Sequence, residues 1–330
     1  MEKVVEVKNL KKVFSFGVKD PNKGFLKNLF TPEIKSITAV DNISFSINEG
    51  ESLAFIGPNG AGKSTTIKML TGILWPSSGQ IEVLGFNPQE DRKRLALNVG
   101  TVFGQRSQLL FNLPIIDSLE LFAKVYEVEK TAYEKQKNKL IEIFDLSGIL
   151  NQPVRKLSLG QRMRAEISAA LIHEPPIIFL DEPTIGLDIV AKRRLRENLR
   201  SINKEFKTTI FLTSHDAGDI ETVCARTIII NHGKVIFDGS TDNLKTQYLN
   251  QKVVRVVLDD DKKVDVSSHI NAIAFIKNTK GEAIFTVDTD KTSIDEVLKD
   301  IIHGVSVEDI TIEDPPLEEI ISRIYETQTS

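Results

Sequence analysis

The chain has 330 residues, 41% of them hydrophobic and 27% charged, and no apolar run approaches the roughly 18 residues needed to cross a bilayer. Its formal charge of −4 offers no basic field, so no nucleic-acid partner is expected. Cys224 is the only cysteine, which excludes an internal disulfide or a cysteine-cluster metal site and suits a reducing compartment; the opening MEKVVEVKNL lacks the apolar stretch and cleavage site of a signal peptide, so the chain is expected to stay in the cytosol.

The predicted elements begin with the strand pattern VVEVKNL (4–10). Residues 15–36 extend a first hairpin. Within them Phe25, Leu26, Leu29 and Phe30 recur at helical spacing among lysines, which fits either a short helix on its own domain or a surface touching lipid or a membrane partner. ESLAFIG (51–57) is a strand, followed by a glycine-rich loop and the helical TTIKMLTGI. QIEVLG and VGTVFG are short strands on either side of the charged QEDRKR, and residues 107–155 read mainly as helices. That pattern predicts a helical subdomain, about 107–170, inserted into an α/β core. PIIFLDE (176–182) and TTIFLTS (208–214) are near-continuous apolar strands, as expected of parallel strands covered on both faces. TIIINHGKVIFDGS (227–240), with Asn231-His232-Gly233-Lys234 at its centre, reads as a hairpin.

A boundary near residue 245 separates a domain of residues 1–245 from a small α+β domain, 246–330. The latter has strand-like VVRVVLD, AIAFIKN, EAIFTVD and VEDITIE, and helix-like SIDEVLKDIIHG and PLEEIISRIYE. It carries no catalytic constellation, and His269 and His303 read as surface or packing histidines.

Chemistry concentrates upstream. Gly57-Pro58-Asn59-Gly60-Ala61-Gly62-Lys63-Ser64 matches G-x-x-x-x-G-K-[ST] between a strand and a helix. Glycines there let backbone N–H groups wrap phosphates, Lys63 neutralises their charge and the Ser64 hydroxyl reaches Mg²⁺. In PIIFLDEP a buried strand delivers Asp181 to the metal's hydration shell, and Glu182 follows where a carboxylate could orient or deprotonate an attacking water. In KLSLGQRMRAE (156–166), Ser158 and Gln161 fit an S-x-x-Q capping box, and Gly160 allows close backbone approach. The same helix start would also present N–H groups to an anion.

In this order, GPNGAGKST, Gln105 in VFGQRSQ, LSLGQ, IIFLDEP, GLD and His215 in LTSHD resemble the ATP-binding cassette family over residues 1–245. The resemblance implies a P-loop α/β cassette with a parallel-strand core, an antiparallel β part and the helical insert. It further implies ATP and Mg²⁺ as cofactors, with the phosphate loop extending through Thr65. Two cassettes would face head to tail, so that Ser158, Gly160 and Gln161 of one chain cover the γ-phosphate held by a second copy or a homologous cassette. By the same resemblance Gln105 senses metal and water, His215 contacts the γ-phosphate, Asp188 communicates across the dimer, and Phe14 stacks on adenine with Phe16 as competitor. Leu159 departs from the frequent LSGGQ form, and Ile185 stands where a small residue often precedes GLD.

Long stretches resemble a bacterial subgroup paired with separately encoded export-type permeases. The closing VEDITIEDPPLEEIISRIYE is similar to tails of drug-exporter ATPases. The expectation is therefore an ATPase subunit of an exporter on the cytoplasmic face of the membrane, an importer subunit or a soluble cassette ATPase being the alternatives. The apolar QLLFNLPII after Gln105, with Leu109, Leu110, Phe111 and Leu113, is the expected contact with the permease.

Overall fold

The computed structural model describes residues 2–18, 33–104, 107–247, 251–259, 272–279 and 281–326. Gln105, His269 and the apolar set Phe25 to Phe30 therefore lie outside the described residues. The chain divides into two compact units, residues 1–241 and 242–330.

In the first unit, β1 (Lys3–Val18) and β2 (Glu33–Asn48) form a long antiparallel ribbon, and β4 (Ser78–Val83) pairs with the other edge of β1. The main sheet has six strands in the order β5-β6-β7-β3-β8-β9, built from β3 (Ser52–Ile56), β5 (Val99–Phe103), β6 (Ile177–Asp181), β7 (Thr209–Ser214), β8 (Arg226–Asn231) and β9 (Lys234–Ser240). Five of these strands run parallel, and only β9 is antiparallel. Strands β3 and β7 are buried along their whole length, which is why they read as unbroken apolar runs and not as alternations. The tight turn between β8 and β9 places His232 and Gly233 at φ 46° and 77°, as a two-residue hairpin demands.

A row of aromatic rings joins the two sheets. Phe45 of β2 meets Phe55 of β3 at 5.7 Å between centroids, Phe55 meets Phe211 of β7 at 5.3 Å, and Phe179 of β6 meets Phe211 at 5.6 Å. Burying each such ring stabilises the fold by about 1.5–3 kcal/mol. The row runs through β3, β6 and β7, the strands whose C-terminal ends carry the motifs.

The expected helical insert is present as α3 (Ile115–Val125), α4 (Lys130–Ile143), a 3₁₀ turn (Val154–Lys156) and α5 (Leu159–Ala170). Two earlier helices are α1 (Lys63–Leu70) and the short α2 (Arg92–Ala96) within the charged segment. After α5, the His173 ring stacks on Tyr126 of the insert at 3.7 Å between centroids. Burial is the main cause driving the His173 pKa down from 6.5 to about 4. A folded pKa below the unfolded one means that protonation favours unfolding, so stability is lost as pH falls from about 6.5 towards 4. Urea unfolding should accordingly show a loss of roughly 2 kcal/mol between pH 7 and 4.5 that is absent in His173→Phe. Equal pH dependence in the two proteins would remove His173 as the cause.

The second unit has the antiparallel sheet β11-β12-β10-β13, from β10 (Gln251–Leu258), β11 (Ile273–Thr279), β12 (Glu282–Asp288) and β13 (Val307–Glu313). Val254, Val256, Phe285 and Val287 form its core with Val297 and Ile301 of a helix over Ile294–Gly304. His303 is exposed in the last turn of that helix. Among the described residues no helix is long and apolar enough to cross a membrane.

Candidate functional site

Strand register assembles the site. Asp181, the last residue of β6, pairs with Thr213 of β7, and Ile56, the last residue of β3, pairs with Ser214. The segments that follow (the 57–65 loop, Glu182 and His215) therefore leave three adjacent strand ends side by side, outside the carboxyl edge where open α/β sheets hold ligands. Together with Ile185 they line one open cleft of about 520 Å³.

The loop's shape depends on glycine. Gly62 has φ 112°, and a Cβ there would lie 2.4 Å from the Ala39 carbonyl oxygen. No other residue fits both constraints. The arch ends at α1, whose first turn holds Lys63, Ser64 and Thr65 and directs free N–H groups and the positive end of its dipole into the cleft. Lys63 is 7% exposed. Its Nζ donates to the Gly57 carbonyl at 2.6 Å and stands 3.6 Å from the Glu182 carboxylate.

Asp181 Oδ1 accepts from Ser64 Oγ at 3.2 Å and from Thr213 Oγ1 at 2.7 Å. Two hard oxygen donors so close fit Mg²⁺, which takes few protein ligands and completes its shell with phosphate oxygens and water. Glu182 has φ 54°, in the left-handed region, and its N–H donates to the Thr213 carbonyl at 3.1 Å. A non-glycine residue held there costs on the order of 1 kcal/mol. The turn brings the carboxylate back over the loop, where Oε2 lies 2.6 Å from Nδ1 of His215, a side chain 58% exposed. Thr213 was not singled out from the sequence. The available signal was a hydroxyl residue interrupting an apolar strand in register with Asp181.

The LSLGQ stretch is organised as the capping box expected. Ser158 Oγ accepts from the Gln161 N–H at 3.2 Å, and Gln161 Oε1 accepts from the Ser158 N–H at 2.9 Å. Gly160 has a neighbour the sequence did not reveal: a Cβ there would lie 2.8 Å from Ala191 Cβ of α6 (Ile189–Phe206). Asp188 caps α6, accepting from the Ala191 N–H at 2.8 Å. Ser158, Gly160, Gln161 and Asp188 are thus grouped around the start of α6, and none of them lines the cleft over their own chain's phosphate loop.

Phe14 and Phe16 lie two apart on β1 opposite Ile37 and Lys35, both about two-fifths exposed, and neither lines the cleft. The Lys12 ammonium stands 5.1 Å from the Phe14 ring centroid.

Of the apolar residues after Gln105, Phe111 is 55% and Leu113 45% exposed, whereas Leu109 is buried. Leu109 is therefore not part of an outer surface. The segment is anchored by Glu166, a buried acid of α5 whose carboxylate accepts from the Gln108 N–H at 3.0 Å and from the Ser107 hydroxyl. Burial pushes the Glu166 carboxyl up, opposed by these hydrogen bonds. Its sequence signal was an acid embedded among the apolar residues of RAEISAA.

The family model described as ABC transporter matches residues 40–185. The probable multidrug ABC transporter ATP-binding protein YbhF of Escherichia coli (strain K12) is 34% identical over 71% of this chain, which spans only 41% of that protein's length. The bacitracin transport ATP-binding protein BcrA of Bacillus licheniformis is 34% identical over 69% of this chain and 72% of its own. A solved structure of the ATP-binding cassette MJ0796, dimeric in a post-hydrolysis state with ADP and Pi, superposes with TM-score 0.59 at 26% identity, covering 72% of this chain and 98% of that one.

Proposed function

The chain belongs to the ABC transporter family, and from that premise we propose that it is the ATP-binding and ATP-hydrolysing subunit of an exporter, working as a head-to-tail dimer on a separate membrane permease. The observation that carries this reading is the Glu182–His215 contact of 2.6 Å, standing over a phosphate loop whose Ser64 hydroxyl lies 3.2 Å from the Asp181 carboxylate at the end of β6. The proposed ATP-binding domain, residues 1–245, and accessory domain, 246–330, correspond to the two compact units that divide at 241/242.

The chemistry assigns a task to each group. Loop N–H groups between Gly57 and Thr65, Pro58 having none, bind the β- and γ-phosphates with the Lys63 ammonium. Ser64 and Asp181, joined by Gln105, would hold Mg²⁺, which when bound would supply positive charge beside the phosphates. Glu182 takes a proton from water as the water oxygen attacks the γ-phosphorus and the bond to the ADP oxygen breaks. His215 keeps the Glu182 carboxylate in place and reaches the γ-phosphate. Phe14 or Phe16 stacks on adenine. Ser158, Gly160 and Gln161 close the site of the opposite chain, with Asp188 at the same junction. Export as the direction is supported by relatives named for multidrug transport and for Nod factor export.

The exposed Phe111 and Leu113 form the permease contact, next to the segment that Glu166 ties to α5. Purified chain should release phosphate from ATP, and a divalent-metal chelator should abolish the release. Phe111→Glu should keep basal turnover within about twofold, as a surface substitution does, yet no longer co-purify with an integral membrane protein from detergent-solubilised membranes. A variant that still co-purifies and supports transport would remove this surface from the reading.

A further inference from the structure

We propose that Arg196 and Asp219 are positioning residues for the Glu182–His215 pair, tying it to the helix that starts at Asp188. The inference rests on the roles proposed for Glu182 and His215. Asp219 lies in a short helix, α7 (Ala217–Val223), and is 1% exposed. A carboxylate so withdrawn from water is costly unless its oxygens are satisfied. Here three donors satisfy it, and each comes from a different part of the site. Thr184, two residues after Glu182, donates from Oγ1 at 2.5 Å; Ser214, immediately before His215, donates from Oγ at 2.6 Å; Arg196 of α6 donates from Nε at 2.6 Å.

The same guanidinium continues the link. Arg196 Nη2 donates to Asp216 Oδ1 at 2.6 Å, and Lys192 Nζ meets Asp216 Oδ2 at 2.5 Å. Asp216 directly follows His215. Burial pushes its carboxyl up, but Lys192 and Arg196 outweigh burial and hold it below the ordinary carboxylate range. Gly218 makes room for this arrangement: a Cβ at that position would lie 2.5 Å from Arg196 Nη1.

These links sit where the sheet stops holding the pair. The β6–β7 register ends at Asp181 and Thr213, followed by one bond from the Glu182 N–H to the Thr213 carbonyl. Beyond that point Thr184, Asp219 and Ser214 span the two strands with side chains. At its other end, Arg196 belongs to the helix whose first turn touches Gly160 through Ala191. A shift of α6 must therefore move Arg196, and through Asp219 it alters the placement of Glu182 against His215. In a head-to-tail dimer this connects the stretch covering one site to the catalytic pair of the other.

The test uses the full chain with Arg196→Gln, Arg196→Lys and Gly218→Ala, none of which alters a phosphate-binding group. Measured quantities are kcat and KM for ATP, binding of a fluorescent ATP analogue, and Tm. The expected result is a KM within about twofold of wild type and a kcat roughly tenfold or more lower for Arg196→Gln and Gly218→Ala. Arg196→Lys, which keeps a cation and one bond, should recover part of the loss. In a Glu182→Gln background the same substitutions should leave the residual single-turnover rate unchanged, because they act through Glu182. A merely structural role would lower Tm and add its loss in either background. If Arg196→Gln unfolds below the assay temperature, Gly218→Ala and Arg196→Lys decide the matter. Wild-type turnover with unchanged kcat in the folded variants overturns this inference alone, whereas absence of turnover in the wild-type chain overturns the proposed function as well.

Discussion

Glu182→Gln should lower ATP turnover by about 10²–10⁴-fold, the usual consequence of losing a general base, while ATP affinity stays near that of the wild-type chain. Glutamine keeps the size of the side chain and a partner for His215 Nδ1, which lies 2.6 Å away, but it cannot accept the proton of the attacking water. The Lys63 ammonium, 3.6 Å from the carboxylate, remains available to phosphate. With hydrolysis stalled, ATP should hold two chains together. Single-turnover phosphate release measures the first effect, and light scattering with and without ATP measures the second. Turnover that survives the substitution intact would exclude Glu182 from the chemistry, whatever the oligomeric state.

A second large effect follows from the placement of Ser158 and Gly160 away from their own chain's phosphate loop, around the start of α6. Lys63→Ala removes the phosphate cation, and Ser158→Arg destroys the capping box and fills the helix start. Each homogeneous variant should therefore be nearly inactive. When the two are mixed, half of the dimers are mixed and each of these has one intact composite site, so about a quarter of wild-type turnover should return if the sites act independently. A site completed within one chain predicts no recovery, since every chain then carries a defect. Cysteines placed at Ala61 and Leu159, in a variant lacking the buried Cys224, provide a physical check. ATP-dependent crosslinks confined to single chains would contradict the head-to-tail arrangement.

Much of the site was legible because its chemistry is local. A phosphate loop needs glycines, a lysine and a hydroxyl within eight consecutive residues, since one strand–loop–helix turn must present them all to one anion. Gly62 shows why the spelling is narrow: φ 112° and the Ala39 carbonyl 2.4 Å from any Cβ leave no alternative residue. The Ser158–Gln161 capping box is equally local, three residues apart on one helical turn. Glu166 and Asp219 were not legible in this way. Nothing in RAEISAA or DAGDIET states that one acid grips Gln108 and the other Thr184, Ser214 and Arg196.

What the sequence by itself determined, then, was the buried core strands, the glycine-rich loop and the Ser158–Gln161 cap, because strand burial, helix capping and loop geometry each depend on residues within a few positions of one another. The order β5-β6-β7-β3-β8-β9 was decided only by the tertiary structure, and with it the meeting of Asp181 with Ser64 across 117 positions and of Glu182 with His215 across 33. The same holds for Gly160, whose contact with Ala191 depends on how two helices pack. Such contacts are non-local: they are set by which strands share hydrogen bonds and by which side chains fill the space between packed elements, and neither leaves a periodic trace along the chain.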